Sequence, residues 1–305
     1  MKIVKINEGE RALSLLPLHH TYECSITFLC CFYAGVTVCF GGGLREIYSD
    51  LNLFSPHELI LVPLFIESFY KKLHYFSKET VSEFFGGSLR LIVCGAAPLD
   101  PKYLEFFSSA GITALQGYGL TECSPIAICS SDKDIIYSSV GKPLPGTLAK
   151  IINKDENGIG EICVKGKMLM LGYYEKGKSV IKSTDSDGWF HTGDLGKTDE
   201  DGNYYITGRL KNVIITANGK NVFPEELELK LTSYGEIDEA LVYEGRDIRN
   251  DRAVCAKIVT HAERERIKEI IKEINLSNAP FKAIKDFEIC RSLQKNAAHK
   301  IVRNN

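Results

Sequence analysis

The sequence predicts an α/β fold: a partial parallel-sheet subdomain, then a β-rich subdomain, then a small α+β C-terminal domain. Early in the chain, short apolar runs alternate with amphipathic stretches, which is the pattern of βαβ units around a mainly parallel sheet. From about Ser138, short strand-like segments separated by turn residues replace that pattern, and the end of the chain mixes helices with strands. We therefore predict boundaries at 1–137, 138–210 and 211–305.

The elements of the first subdomain are expected to follow one another as strand and helix. Pro101 is well placed to begin the last helix, because proline is favoured at the first helical position. The apolar run at 24–40 is too short for a comfortable membrane span and is interrupted by Ala34-Gly35, which favours a buried helix, a turn and a strand. Strands are predicted at 12–18, 36–40, 58–64, 89–97 and 112–119, and helices at 22–33, at 65–76 and after Pro101.

The turns GKPLPG, KDENGIG, DSDGW and DEDGN punctuate the predicted β-rich subdomain. After a link near GRLKN at 208–212, PEELELKLTSY is expected to form a helix, and EALVYEG and RAVCAKIVT are expected to form strands. The stretch HAERERIKEIIKEI has the spacing of an amphipathic helix.

Composition describes an ordinary globular protein of 305 residues, with 44% hydrophobic residues, 25% charged residues and a net charge of −2. We expect no nucleic-acid partner. The ten cysteines lie mostly in apolar runs and form no CxxC motif, so we expect reduced, buried thiols in a cytoplasmic protein. A signal peptide is not predicted, because the sequence shows no basic region followed by a cleavage site.

The stretch LQGYGLTECSP at 115–125 is the first candidate site. Glycines at the end of a strand let backbone approach a ligand, and open α/β sheets bind ligands at that edge. Tyr118 could stack on a flat ring, Thr121 could donate to a phosphate, and Glu122 could hold a hard cation such as Mg²⁺. A glycine-rich turn with a helix cap is the alternative that spacing alone leaves open.

The second candidate is GWFHTGDLG at 188–196, where the Asp194 carboxylate on a tight turn could accept both hydroxyls of a ribose. Trp189 and Phe190 read as anchors of the β-rich subdomain, and His191 as structural. Arg209 follows a glycine, where it could meet a ribose, a phosphate or a surface carboxylate.

Local sequence favours a structural role at three further places. The ANGKNVFPEE loop reads as a turn leading to a helix that begins at Pro224. Lys300, near the terminus, resembles a solvated surface charge, and the histidines of SLLPLHHTYECS at 14–25 resemble structural groups at a strand end.

Taken together and in this order, the motifs resemble the signatures of the adenylate-forming superfamily, and within it the long-chain fatty-acid CoA ligases. The resemblance covers nearly the whole chain. The motifs are LPLHHTYE, LRLIVCGAAPLD, LQGYGLTECSP, GWFHTGDLG, GRLKNVIITANGKNVFPEELE and LQKNAAHKIVR.

The resemblance implies a two-step reaction with ATP, Mg²⁺ and coenzyme A. A fatty-acid carboxylate attacks the α-phosphate of ATP to give acyl-AMP and pyrophosphate, and the thiol of coenzyme A then displaces AMP. Tyr118 and the turn Gly95-Ala96-Ala97 are expected to line the adenine pocket, and Gln116, Gly117 and Gly119 are also expected to bind the cofactor. The other expected contacts are Thr121 at a phosphate, Glu122 at Mg²⁺, and Asp194 and Arg209 at the ribose.

The resemblance also implies a mobile C-terminal domain. Lys300 would stabilise charge that develops on the carboxylate and α-phosphate oxygens. Rotation about a hinge at Lys211 would then withdraw Lys300 and bring the loop around Gly219 to the site for thioester formation. His20 matches the histidine that gates the acyl pocket.

One family element has no counterpart in this sequence: a Ser/Thr/Gly-rich loop, ending in Pro-Lys-Gly and preceding LPLHHTYE, that grips the β- and γ-phosphates. The GGG at 41–43 reads as a turn. We therefore expect a C-terminal portion of an acyl-CoA synthetase, whether from a split gene, a fragmentary gene model or a degraded copy. As an enzyme it would need an N-terminal half, which a separate chain could supply. A non-catalytic nucleotide- or acyl-binding module and an inert remnant are the alternatives, and a lipid substrate allows peripheral membrane contact.

Overall fold

A computed structural model describes residues 3–43, 45–216, 219–247, 251–295 and 301–303. The chain divides into two compact units. The first contains the described residues up to Thr192 together with Gly196–Ile206, and the second contains Gly193–Leu195 and the residues from Thr207 onward. The predicted mixed α/β class is confirmed by a sheet that contains parallel strands alongside antiparallel sheets. The predicted boundary between residues 137 and 138 remains a prediction.

The first unit is built on a sheet that has seven strands within the described ranges, in the order β2-β1-β3-β4-β5-β6-β7. Strands β1 to β5 run parallel, and β6 and β7 are antiparallel additions. The strands are β1 Arg11–Ser14, β2 Thr37–Phe40, β3 Glu58–Leu61, β4 Leu91–Cys94, β5 Thr113–Tyr118, β6 Ile128–Cys129 and β7 Lys142–Pro143. The helices are a π-helical turn Glu23–Cys30 continued by α1 Cys31–Tyr33, then α2 Ile47–Phe54, α3 Pro63–Leu73, α4 Lys78–Phe84 and α5 Pro101–Ser109.

Strands β3 and β4 are buried at every position, as expected of continuous apolar runs in the middle of a parallel sheet. The predicted strand at 58–64 ends earlier, at Leu61, because Pro63 occupies the first position of α3 behind an extended Val62. The helix predicted at 65–76 is therefore displaced toward the N-terminus.

Two helices, α2 and α4, lie where the sequence pattern predicts none. Helix α4 begins at a conventional cap, where the Ser77 hydroxyl accepts a hydrogen bond from the Thr80 amide at 3.3 Å. Both helices cover the same core as α3 and α5, in which Leu51, Phe69 and Phe107 are almost completely buried.

Strand β2 is the edge of the sheet, and apolar side chains are exposed on it and on the helical segment that precedes it. Phe40 is 52% exposed on β2, Phe32 is 71% exposed, and Tyr33 is 94% exposed. Leu29 is also more than half exposed. A cluster of large apolar groups in water is unfavourable, so this surface is a candidate for contact with other polypeptide.

A second sheet, in the order β11-β10-β9-β8, forms the β-rich part of the chain. Its apolar core contains Tyr118, Ile162, Val164, Phe190 and Tyr204. The role of Phe190 as an anchor is thus confirmed. The strands are β8 Thr147–Ile152, β9 Gly160–Gly166, β10 Phe190–Thr198 and β11 Tyr204–Arg209.

The second unit packs two helices on a sheet ordered β14-β15-β16, in which β14 and β15 are antiparallel and β16 is parallel to β15. Helix α7 buries Ile267, Ile270, Ile271 and Ile274, the spacing of one helical face. Each buried isoleucine contributes about 2 kcal/mol of transfer free energy. The elements are β12 Ile214–Ile215, β13 Asn221–Val222, α6 Pro224–Thr232, β14 Ile237–Arg246, β15 Arg252–Thr260, α7 Arg264–Ser277 and β16 Ile284–Cys290.

The ten cysteines are free thiols, but the prediction that they are buried is wrong for Cys30, which is exposed, and overstated for Cys24 and Cys290, which are half-buried. Cys30 lies on the outer face of its helix, where an apolar sequence context does not guarantee burial. Among the described residues, no helix is long and apolar enough to cross a membrane.

A buried carboxyl group links the sheet to the start of the chain. Glu58 on β3 is 1% exposed, and Oε1 accepts a hydrogen bond from Nη2 of Arg90 at 2.9 Å. Arg90 also pairs with Glu10. Burial raises the pKa of Glu58 to about 7, whereas the hydrogen bond from Arg90 lowers the pKa of Glu10 to about 2.

Glu58 should make the first unit less stable as the pH rises. A carboxyl with a raised pKa holds its proton more tightly in the folded chain, so its contribution is complete below the usual pKa of 4.5 and is lost as the pH rises through about 7. The expected loss is about 3 kcal/mol. Glu58→Gln should abolish this loss. The measurement is urea unfolding between pH 5 and pH 8, followed by fluorescence of Trp189, which lies in the first unit.

Glu83→Gln, an exposed change on α4, is the matched control and should follow the parent protein. Parallel stability curves for the parent and Glu58→Gln would contradict the prediction. Glu10 acts in the opposite direction, because its lowered pKa causes stability to be lost only as the pH falls from 4.5 toward 2.

Candidate functional site

The carboxyl ends of β3, β4 and β5 meet at one edge of the sheet, where a parallel sheet binds its ligands. Gly95, directly after β4, donates its amide to the Leu61 carbonyl at 3.2 Å. A Cβ on Gly95 would lie 3.2 Å from the Gly117 carbonyl oxygen on β5. The two predicted glycines therefore lie side by side, with little room for a side chain between them.

The turn after Gly95 places backbone at this edge. Ala96 has φ of +73°, a left-handed conformation that is unfavourable for a residue with a Cβ, and Ala96 and Ala97 are both exposed. Strained non-glycine residues of this kind concentrate at ligand sites. Gln116, the residue before Gly117, reaches the Tyr137 carbonyl with its amide nitrogen at 3.4 Å.

Tyr22, which the sequence analysis did not single out, closes one side of this edge. Its hydroxyl donates to the Val93 carbonyl at 3.2 Å, and its ring lies 3.2 Å from where a Gly95 Cβ would be. Burial raises the pKa of Tyr22 well above its ordinary value, so the hydroxyl stays a donor.

His20 directly precedes the helical segment that contains Tyr22 and is exposed. Its Nδ1 accepts a hydrogen bond from the Tyr22 amide at 3.2 Å. In the neutral ring the proton must then be on Nε2, so His20 presents a donor on its other nitrogen.

Glu23 follows in the same stretch and is fully buried. Its Oε1 accepts from the Ser14 hydroxyl at 2.6 Å and its Oε2 from the Thr27 hydroxyl at 2.9 Å. The backbone amides of Leu15 and Leu16 also donate to it. Burial is the largest influence on its pKa, which is raised. Glu23 thus ties β1 to the segment that carries His20.

The turn after β5 carries Thr121 and Glu122 in a short 3₁₀ helix, Thr121–Cys123. Thr121 is exposed and Glu122 is half-buried. Gly119 allows the chain to return against itself, because a Cβ there would lie 2.0 Å from the Pro125 carbonyl oxygen. This glycine is required by space rather than by its dihedral angles.

Tyr173 is a second residue that the sequence did not indicate. Its hydroxyl donates to Oε1 of Glu122 at 2.9 Å, and the Met170 amide donates to the Glu122 backbone carbonyl at 2.9 Å. The segment at 170–173 therefore holds Glu122 both by its main chain and by its carboxylate. Nothing in the repeated aromatic pattern GYY could have predicted this contact.

Tyr118 is 9% exposed and belongs to the apolar core of the β-rich part. Most of its ring is therefore covered by protein. Contact between Tyr118 and an adenine remains a prediction.

Asp194 and Arg209 belong to the second unit, and they form an ion pair in which Nε of Arg209 lies 2.8 Å from Oδ1 of Asp194. Asp194 lies within strand β10, so the tight turn predicted for it is wrong, although Gly193 before it has the left-handed φ of +69° that suggests a turn. Asp194 is 4% exposed, whereas the Arg209 side chain is 45% exposed. The pair that the sequence predicted for a ribose is thus brought together, although ribose binding itself is untested.

Lys211 is exposed in a 3₁₀ helix, Leu210–Asn212, and Gly219 lies in the hairpin between β12 and β13 with φ of +72°. Lys300 lies outside the described residues. Beyond it, Nη1 of Arg303 donates to the Val242 carbonyl at 3.1 Å, so the described end of the chain is held on β14.

Residues 1–174 match the family model of the AMP-binding enzymes. The chain belongs to this AMP-binding enzyme family. Long-chain-fatty-acid–CoA ligase FadD15 of Mycobacterium bovis is 29% identical over 93% of this chain and 57% of its own length. Mouse long-chain-fatty-acid–CoA ligase 6 is 30% identical over 74% of this chain and 39% of its own length. The match thus covers 57% of the length of the first relative and 39% of the length of the second.

Solved AMP-binding enzymes have the same fold. One of them is the O-succinylbenzoate coenzyme A synthetase of Bacillus subtilis, solved with ATP and magnesium. The superposition includes 97% of this chain and 61% of the synthetase chain, with a TM-score of 0.80 and 26% sequence identity. The donor set around β5 suits such ligands. Glu122 offers the hard carboxylate oxygen that Mg²⁺ prefers, and Thr121 offers an exposed hydroxyl.

Proposed function

We propose that this chain forms the C-terminal portion of a fatty-acid–CoA ligase that converts fatty acid, ATP and coenzyme A into acyl-CoA, AMP and pyrophosphate through acyl-AMP. The observation that carries the proposal is the similarity to long-chain-fatty-acid–CoA ligases over 93% of this chain. The strained Ala96 turn and the glycines at 95, 117 and 119 support a nucleotide site at the sheet edge.

The candidate site residues have distinct roles in the proposed reaction. Asp194, oriented by Arg209, accepts the ribose hydroxyls, and Thr121 donates to a phosphate oxygen. His20 donates from Nε2 to the fatty-acid carboxylate. Lys300 stabilises the charge that develops as the carboxylate oxygen bonds to the α-phosphorus and pyrophosphate leaves.

Glu122, held by Tyr173, would bind Mg²⁺, which when bound offsets negative charge on the phosphates. Movement of the second unit about Lys211 would bring the Gly219 hairpin into use for the attack of the coenzyme A thiol.

The proposal includes an N-terminal polypeptide that supplies the phosphate-gripping loop, either as a separate chain or as part of a longer one. The exposed Leu29, Phe32, Tyr33 and Phe40 support such a partner, because they offer an apolar surface beside an edge strand. Ten free thiols support a reducing, cytoplasmic location, and a lipid substrate adds contact with a membrane surface.

Carboxylate-dependent exchange of pyrophosphate into ATP tests the proposal. The chain is co-expressed with the product of the reading frame upstream, and the complex is assayed with fatty acids of different length. We expect exchange, and we expect Asp194→Ala to reduce it by about 10- to 100-fold, the value of one or two hydrogen bonds to a charged group. Asp201→Ala, an exposed change in the following turn, is the matched control.

A soluble complex that shows no exchange with any fatty acid would overturn the proposal. Calorimetry with AMP and the isolated chain then identifies the alternative. AMP binding that survives Lys300→Ala and disappears in Asp194→Ala would indicate a non-catalytic binding module, and no binding would indicate an inert remnant.

A further inference from the structure

A mixed cluster of ligand-type side chains lies on one face of the β-rich sheet, apart from the nucleotide residues. Glu161 and Cys163 are two residues apart on β9, so their side chains point to the same face of the sheet. His191 lies on the neighbouring strand β10. Each offers one ligand atom, and within the described residues these atoms lie within 4.8 Å of one another. All three belong to the first unit.

The distances in the cluster suit a tetrahedral metal ion. Nδ1 of His191 is 3.2 Å from Oε2 of Glu161 and 3.6 Å from Sγ of Cys163. Zinc bonds of normal length at tetrahedral angles separate nitrogen from oxygen or sulfur by about 3.3–3.6 Å.

A carboxylate is also in place behind the histidine. Nε2 of His191 is 3.3 Å from Oδ2 of Asp185, whose Oδ1 accepts from the backbone amides of Trp189 and Asp187 at 2.8 and 3.0 Å. Metal-binding histidines commonly donate their second N–H to a carboxylate in this way, which fixes the tautomer and the ring. In the absence of metal, the same two carboxylates raise the pKa of His191, with the Glu161 hydrogen bond as the main cause.

We propose that Glu161, Cys163 and His191 bind a zinc ion, with water as the fourth ligand and Asp185 as the positioning carboxylate. A thiol and an imidazole favour zinc over magnesium or calcium. The Cys163 thiol is 0% exposed, so protein would cover the ion on that side. The His191 side chain is 45% exposed, so the ion and its water ligand could enter from solvent on the other side.

Binding must release the thiol proton to solvent, because the thiolate is the ligand. Burial raises the pKa of Cys163 to about 11 and the nearby Glu161 carboxylate adds to the rise, whereas Lys150, its partner across the strands, lowers it. The cation itself supplies the remaining attraction for the thiolate.

Titration of the 305-residue chain with Co²⁺, a spectroscopic substitute for zinc, tests the site. We expect one cobalt per chain, visible absorption of four-coordinate cobalt, a thiolate-to-cobalt charge-transfer band, and displacement by Zn²⁺. The band should disappear in Cys163→Ser and in His191→Gln. Cys30→Ser, which removes an exposed thiol elsewhere, should keep it.

A second pair of variants keeps the test valid if loss of the buried thiol prevents folding. Asp185→Asn should weaken cobalt affinity by about 10- to 100-fold, and Asp187→Asn, in the same turn, should leave it unchanged. Absence of the charge-transfer band in the parent protein, its persistence in His191→Gln, or equal affinities in the two aspartate variants would overturn the proposal. Nucleotide binding and acyl transfer do not enter this test.

Discussion

Gly119→Ala should destabilise the first unit by about 3 kcal/mol and abolish AMP binding, because the new Cβ cannot be accommodated. It would lie 2.0 Å from the Pro125 carbonyl oxygen and 2.7 Å from the Ile126 Cα, both of which are backbone atoms. Backbone cannot rotate away as a side chain can, so the turn carrying Thr121 and Glu122 must move. Urea unfolding followed by Trp189 fluorescence, together with calorimetry of AMP binding, measures the two effects.

Gly117→Ala is the matched control, two residues away on β5. Its Cβ would lie 3.5 Å from Cδ1 of Ile126, an ordinary contact with the end of a flexible side chain. We expect its stability to remain within about 1 kcal/mol of the parent. Equal effects of the two substitutions would show that the close approach at Gly119 is not what shapes this turn.

Glu23→Ala should cost about 4 kcal/mol or more, because it leaves a set of buried donors without an acceptor. The Ser14 and Thr27 hydroxyls and two backbone amides all donate to this carboxylate. Each buried group left unsatisfied costs about 1–3 kcal/mol. The same urea experiment measures the loss, and a weaker response of the exchange assay to fatty acid should accompany it, because Glu23 fixes the segment that carries His20.

Glu23→Gln separates shape from hydrogen bonding. The amide keeps one acceptor oxygen, and a serine or threonine hydroxyl can rotate to accept from its nitrogen. We expect a cost of only about 1 kcal/mol. A glutamine variant as unstable as the alanine variant would mean that the charge of Glu23, rather than its acceptor oxygens, holds β1 to the helical segment.

The sequence predicted those parts of the fold whose signal is local. The alternation of apolar and amphipathic runs gave the parallel strands, and Pro101 and Pro224 fixed two helix starts. Pro63 has the same signal, but the apolar residues on either side of it favour a strand that continues to residue 64. Helices α2 and α4 were missed because they are short and lie between stronger patterns.

The candidate site was predictable only as a set of motifs. The contact between Asp194 and Arg209 joins residues far apart in sequence, and no spacing rule relates them. Tyr22 and Glu23 lie in the stretch that drew attention to His20, but the partners that give them roles are on β1 and β4. Tyr173 reaches Glu122 from a different loop, which only the fold can show.

The open edge at β2 has a consequence for how the isolated chain behaves in a test tube. The outer side of β2, which carries Phe40, can add a strand from another molecule, and the exposed Phe32 adds apolar surface, so the chain expressed by itself should aggregate in a concentration-dependent way. Poor yield of the chain by itself is therefore expected if, as proposed, an N-terminal polypeptide covers this edge. Rescue of the yield by an N-terminal polypeptide would be an early sign of assembly, visible before any substrate is added.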